Sequence, residues 1–372
     1  MAIKHAVPAF LVLLVAFAGS CGGGGGSTFD PASFVRATGL SSGRTLPPGP
    51  LLVMRGSAVG PLAVDARHVV AVVGPIEAET ATPRLVQREL PRGRTTTLAA
   101  DVDPTQGVAS TTEWVVYASS TGAMTAVRHD GSRPRILSRS LIAPLTSRGE
   151  LVAWAESRRQ RQRVIVRNMG SGAEWVAADM PRCGPKGCYR IDAVTLADRG
   201  VTFARGAIGP QPSFVVRRAF SAARPSAIAI PGDPQPDLAP SSAGALYYAF
   251  GRGWYRWDFG SSRPARTAFG DPARQPGVLR YEHGNWLLLA RKGCRTGLRA
   301  SVPGAGTVDI ETAPRLRSLL GIRQRNCVGS LGVAWTGSQA VSAWVVYPRA
   351  EMDDHEDSGL AGLAVAGAPS SG

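Results

Sequence analysis

Lysine and histidine are scarce in this sequence. Of its 42 basic residues only Lys4, Lys186 and Lys292 are lysines, leaving 39 arginines against 27 acids and a net charge of +15. Arginine keeps its charge when partly buried and forks onto carboxylates or phosphates, so the excess alone does not signal nucleic acid. Five histidines are few for a chain of 372 residues, and catalysis rarely dispenses with a titratable base. No phosphate loop or His-Glu-x-x-His motif occurs, and no cofactor signature. Also missing is an apolar run long enough to span a bilayer: Val7 to Phe17 is only 11 residues. Helical periodicity is weak, with Pro314 to Ile322 the best short helix candidate. What is abundant is turn and core: 44 glycines and 28 prolines beside 44% hydrophobic residues, a composition that excludes extensive disorder.

The N-terminus places Lys4 and His5 before that apolar run, then Ala18-Gly19-Ser20 directly ahead of Cys21. This resembles a bacterial lipoprotein signal, with Ala18-Gly19-Ser20-Cys21 as the lipobox and Ala18 where the family usually has Leu. The resemblance implies removal of residues 1–20, a lipid on Cys21, and an extracytoplasmic body anchored to the cell membrane. An ordinary cleaved secretory signal with Cys21 incidental exports the protein as well. Gly22 to Gly26 and Ser27 read as the start of a flexible tether, residues 21–49.

Export makes disulfides the default for the other four cysteines. Three pairings exist. The six-residue Cys183-Gly-Pro-Lys-Gly-Cys188 bends readily, which favours Cys183–Cys188 and, by elimination, Cys294–Cys327. The spacing suits neither a redox pair nor zinc.

Internal repetition organises the rest. Apolar bursts end in a large and then a small residue, with third positions at Val72, Tyr117, Trp154, Phe203, Tyr248, Leu289 and Trp335, a mean spacing near 44 residues. A Gly-containing turn precedes most bursts, a second alternating run follows, then another turn and a short third run, which is a β-meander at propeller-blade spacing. Thr146-Ser147-Arg148-Gly149-Glu150-Leu151-Val152-Ala153-Trp154 and Val127-Arg128-His129-Asp130-Gly131 resemble the repeats of TolB-like and WD40-like β-propellers. The resemblance implies an all-β propeller of four-stranded antiparallel blades over residues 50–366, with a tail at 367–372. Seven blades are expected, with six or eight open. Leu51-Leu52-Val53-Met54 either pairs into the last blade to close the ring or straps across it.

Candidate sites are few. Arg158, Arg159, Arg161 and Arg163, with Arg167, form a basic turn and strand suited to an anionic polymer, or a solvated turn. Asp353, Asp354 and Asp357, with Glu351, His355 and Glu356, are weak candidates for a hard cation such as calcium. Trp254 and Trp257 invite a carbohydrate-stacking reading, yet they fall on opposite faces of a strand, so at least one belongs to the core. His68, His129 and His283 read as loop or strand-end residues. The expectation is an anchored lipoprotein whose propeller binds or scaffolds an envelope protein or polysaccharide, with no nucleic acid and no cofactor. The alternative is an extracytoplasmic glycan hydrolase or lyase whose carboxylates, such as Asp192, Asp237 and Glu282, converge over the channel.

Overall fold

The computed structural model describes residues 51–56, 59–65, 67–74, 82–90, 93–185, 187–232 and 236–267, and beyond them the backbone of strands within 276–369. Every described element is a strand, and the strands form seven antiparallel sheets. Blade 7 opens the chain and closes it: β1 (Leu51–Gly56) pairs with its last strand. Blade 1 is β2 (Val59–Val64), β3 (His68–Val73), β4 (Arg84–Glu89) and β5 (Thr95–Ala100). Blade 2 is β6 (Val108–Ser110), β7 (Trp114–Ala118), β8 (Met124–Arg128) and β9 (Arg135–Ser138). Blade 3 is β10 (Leu141–Arg148), β11 (Leu151–Arg158), β12 (Arg161–Asn168) and β13 (Glu174–Pro181). Blade 4 has five strands, β14 (Cys183–Gly184), β15 (Gly187–Ala197), β16 (Gly200–Ile208), β17 (Ser213–Ala219) and β18 (Ser226–Ile230). Blade 5 is β19 (Asp237–Ala239), β20 (Gly244–Ala249), β21 (Gly253–Asp258) and β22 (Ala265–Arg266). Blade 6 is β23 (Pro276–Glu282), β24 (Asn285–Ala290), β25 (Leu298–Val302) and β26 (Gly306–Asp309). Blade 7 finishes with β27 (Asn326–Trp335), β28 (Gln339–Pro348) and β29 (Ala361–Pro369).

The first strands of successive blades touch in the order β2, β6, β10, β15, β19, β23, β27 and back to β2, so the ring closes. Pairing of Leu51 with Val365 and of Gly56 with Ala361 settles the N-terminal segment as a closing strand and removes an exposed sheet edge. β29 runs to Pro369, into the segment expected as tail.

Six of the seven apolar bursts are second strands, such as β3, where five consecutive residues are buried. A second strand has a neighbour on each side and a blade against each face, so it carries apolar residues at every position. The seventh burst, ending at Trp335, belongs instead to the first strand β27. That strand is as apolar as the second strands elsewhere. The core lies in radial seams between blades: Val70, Val72 and Leu85 meet Val115 and Val127 of blade 2, and Trp175 meets Phe203 and Phe220 of blade 4.

Turns from strand one to two open one face of the ring, the proximal face, together with turns from three to four. Turns from two to three, and the crossovers between blades, open the distal face. Glycines begin β16 and β20 because a Cβ on Gly200 would collide with the Arg218 carbonyl, and one on Gly244 with the Trp257 carbonyl. The helix expected over 314–322 lies outside the described residues.

Candidate functional site

On the proximal face three turns meet where blades 1, 2 and 3 adjoin. Asp65, in the β2–β3 turn, accepts the backbone N–H of Arg67 (2.7 Å) and of His68 (2.8 Å), which fixes its carboxylate. Its Oδ2 accepts the Ser110 hydroxyl of β6 at 2.5 Å. His68 Nδ1 lies 3.2 and 3.3 Å from the two Asp65 oxygens. His129, just past β8, stacks on His68 with ring centroids 4.1 Å apart and planes 16° apart. Its Nε2 is 2.8 Å from the Thr111 carbonyl and 3.6 Å from Asp65 Oδ2. Its Nδ1 is 2.5 Å from Gln87 Oε1, and the Gln87 amide donates to the His129 carbonyl at 3.1 Å. The side chains of Asp65, His68 and His129 are only 13, 15 and 12% exposed.

Burial opposes charge throughout this cluster. For Asp65 it would raise the carboxyl, but the His68 hydrogen bond, the charges of His68 and His129 and the Ser110 hydroxyl outweigh it, so the carboxyl sits below its usual range. Burial pushes the His129 imidazole down, with Asp65 pulling the other way and His68 reinforcing burial.

Asp65, His68 and His129 offer ligand atoms within 4.8 Å of one another, the spacing of a metal centre. Their directions do not suit one. A metal lies in the plane of each imidazole that binds it, and two rings stacked with planes only 16° apart share no point within bonding distance of both. Nor is this a nucleophile triad, because Ser110 donates to the aspartate with no imidazole between them.

The other candidates are placed as follows. Arg161 Nε pairs with Asp179 (2.7 Å), Arg163 with Glu156 (3.1 Å) and Arg167 with Glu174 (3.5 Å), so carboxylates of the same blade share their charge. Arg158 and Arg159 are exposed on the distal face in the β11–β12 turn. Beside them Cys183 and Cys188 form the expected disulfide, and the hairpin it closes supplies β14 as a fifth strand. The Arg182 N–H donates to the Gln160 carbonyl (2.9 Å), tying that hairpin to the turn. Trp254 and Trp257 are both buried, so neither offers a sugar platform.

Two of the three channel carboxylates, Asp237 and Glu282, do not converge. Asp237 begins β19 and Glu282 ends β23, both first strands, which puts them on opposite faces of the ring. The seven residues of β23 alone span about 20 Å, against the roughly 5–10 Å that separates a glycosidase pair. Asp192 sits in a bulge of β15, paired with Arg190, and burial raises its carboxyl while Arg190 opposes the shift. Cys21, Cys294 and the acidic run Asp353, Asp354 and Asp357 lie outside the described residues, and Cys327 is placed in β27 by its backbone.

Neither a family model nor a curated protein sequence matches the chain. Solved structures do. A prolyl endopeptidase matches 86% of this chain and 49% of its own at 12% identity and a TM-score of 0.53. The acylaminoacyl peptidase of Pyrococcus horikoshii matches 77% and 49% at 6% identity and 0.51. The β-propeller domain of the Trilobed protease from Pyrococcus furiosus matches 77% and 90% at 8% identity and 0.50. The chain thus spans about half the length of the first two, and at these identities the likeness is one of fold. The protein is an all-β, seven-bladed propeller. That Pyrococcus furiosus domain is described as having an open velcro topology, whereas here β1 and β29 pair.

Proposed function

We propose that the chain is an exported propeller, held at a membrane by a lipid on Cys21, whose distal face binds an acidic polysaccharide of the cell envelope. The observation that carries this reading is the surplus of arginine beside the disulfide hairpin. Asp179, Glu156 and Asp192 are already engaged by Arg161, Arg163 and Arg190, while Arg158, Arg159 and Arg182 project with no carboxylate facing them among the described residues. Guanidinium forks suit carboxylated sugars. The direction of β1 adds support, since Leu51 starts toward the proximal face and the tether therefore enters opposite the hairpin. A disulfide accords with export.

Replacing Cys21 by Ala should release the body from membranes, and unchanged retention would refute the anchor. The purified body should co-sediment with polygalacturonate at low salt, less so as ionic strength rises. The triple variant Arg158→Glu, Arg159→Glu, Arg182→Glu should not bind, and equal binding by both proteins would overturn the assignment of the face. Cleavage of a glycan by the purified body, abolished by Asp192→Asn, would establish the hydrolase or lyase reading instead.

A further inference from the structure

We infer that the cluster of Asp65, His68 and His129 is an acid-sensitive clasp, which closes the seam between blades 1 and 2 on the proximal face while its two stacked imidazoles carry at most one positive charge between them. The clasp joins three blades. Asp65 comes from the β2–β3 turn, His68 from the start of β3 and Gln87 from β4, Ser110 from the end of β6 with Thr111 just past it, and His129 from the β8–β9 turn. Glu150 of the β10–β11 turn accepts the Thr112 N–H at 3.0 Å. The other charged groups on these elements are Arg67, whose N–H Asp65 accepts, Arg88 and Glu89 of β4, with Glu89 opposite His68 in the β3–β4 register, Arg128, which pairs with Glu113 at 3.2 Å, and the exposed Asp130.

The hydrogen bonds decide how the clasp takes up protons. Both nitrogens of His129 face acceptors, Gln87 Oε1 and the Thr111 carbonyl, and a neutral ring can donate to only one of them. A proton added to His129 finds an acceptor already in place and Asp65 beside it, but burial outweighs both and holds the imidazole below its ordinary range. With both rings charged, two cations stand face to face, ring centres 4.1 Å apart, with one carboxylate beside them. Glu150 lies on the next blade and is committed to Thr112. Turning the rings apart relieves the repulsion, and that turn breaks the Gln87 contact joining blade 1 to blade 2 and the Thr111 contact within blade 2.

The sign follows from the groups themselves. His129 is held below its ordinary value of about 6.5, so the stability its neutral form confers is present at neutral pH and falls as pH drops through and below that value. Asp65, held below about 3.9, contributes in the same direction at still lower pH. Both favour a closed seam near pH 7.5 and an open one under acid.

Hydrogen exchange of the whole exported body, corrected for intrinsic rates, provides the test. Peptides covering residues 62–73 and 108–130 should exchange about tenfold faster at pH 5.5 than at pH 7.5, while those of blade 4 change little. His68→Phe keeps a stacked ring without a charge and should reduce that acid response to less than twofold. His129→Gln, also unable to charge, should do the same if the first variant folds poorly. A wild type that does not respond to acid, or a His68→Phe protein that responds equally, would overturn the clasp. So would stoichiometric zinc that raises the melting temperature of the wild type but not of His68→Phe, since the rings would then serve a metal.

Discussion

Gln162 is the side chain whose loss the ring should feel most for its size. It is 5% exposed on β12 of blade 3, and its amide spans the seam to β15 of blade 4. Nε2 donates to the Tyr189 carbonyl at 3.0 Å, and Oε1 accepts the Ile191 N–H at 2.9 Å. These are main-chain groups on the free edge of a first strand, where the sheet itself provides no partner. Gln162→Leu keeps the volume and removes both bonds. Each buried hydrogen bond is worth a net of about 1 kcal/mol, and each group left unpaired costs about 1–3 kcal/mol, so the loss should total about 2–5 kcal/mol. At roughly 2–4 °C per kcal/mol, with a ring of this size toward the low end, the melting temperature should fall by about 5–10 °C. Gln162→Glu sharpens the test. Its carboxylate still accepts from Ile191 but turns its second oxygen on the Tyr189 carbonyl, which cannot donate. The variant should be least stable near pH 8 and recover as pH falls into the carboxylate range, where a protonated acid can donate to Tyr189. Thermal melts followed by circular dichroism at pH 8 and pH 5 measure both effects. A Gln162→Leu protein within 1 °C of wild type, or a Gln162→Glu protein indifferent to pH, would refute the reasoning.

Two further outcomes follow from the seams. Gly244→Ala should lower stability by about 1–3 kcal/mol, the scale of an overpacked site, because the new methyl meets the backbone of β21, whereas Gly260→Ala has open space and should be neutral in the same melts. Arg217, 7% exposed and brought down to about 10 by burial, lies 3.8 Å over the Trp257 ring and donates to the carbonyls of Trp257, Asp258 and Ser261. Arg217→Lys keeps the charge but cannot stack or fork, and chemical denaturation should show a loss of about 2 kcal/mol; no change would mean that charge alone suffices.

Second strands were legible because burial on both faces writes an uninterrupted apolar signal, as in Val69 to Val73. First strands, β27 apart, were not. β10 carries an exposed Pro144 and β15 carries Arg190 and Asp192, because these strands pack a blade on one side and face the middle of the ring on the other. Their patterns are diluted, so the meander read from sequence begins one strand late. That omission also hid the proximal cluster. Asp65 lies in the turn after the first strand of blade 1 and Ser110 ends the first strand of blade 2, and only that missing strand β6 brings the Ser110 hydroxyl beside Asp65. His68 and His129, read singly, were ordinary turn residues; what joins them is that strand one to two turns and strand three to four turns share a face. The Cys183–Cys188 hairpin was legible because its geometry is local.

The arginine excess acquires a structural division of labour. Arg217 and Arg218 are adjacent on β17, so alternation sends one to each side of blade 4. Arg217 reaches blade 5 as described, while Arg218 lies 5.0 Å from the Trp175 ring of blade 3 and donates to the Ala177 carbonyl at 2.7 Å. One dipeptide therefore clamps a blade to both neighbours, a task that needs a planar cation with several donors and that lysine cannot perform. Arg135 over Trp114 at 3.9 Å and Arg205 over Tyr189 at 4.1 Å use the same chemistry within blades 2 and 4. Charge spent in this way is turned inward and held by carbonyls and rings, so net charge overstates what the surface offers a partner. Exposed arginines stand on several blades, among them Arg133, Arg139, Arg199 and Arg252, and beside the disulfide hairpin the outward charge comes down to Arg158, Arg159 and Arg182. An anionic ligand that recognises this protein should accordingly depend on three side chains on one face, and be indifferent to most of the other thirty-six arginines of the sequence.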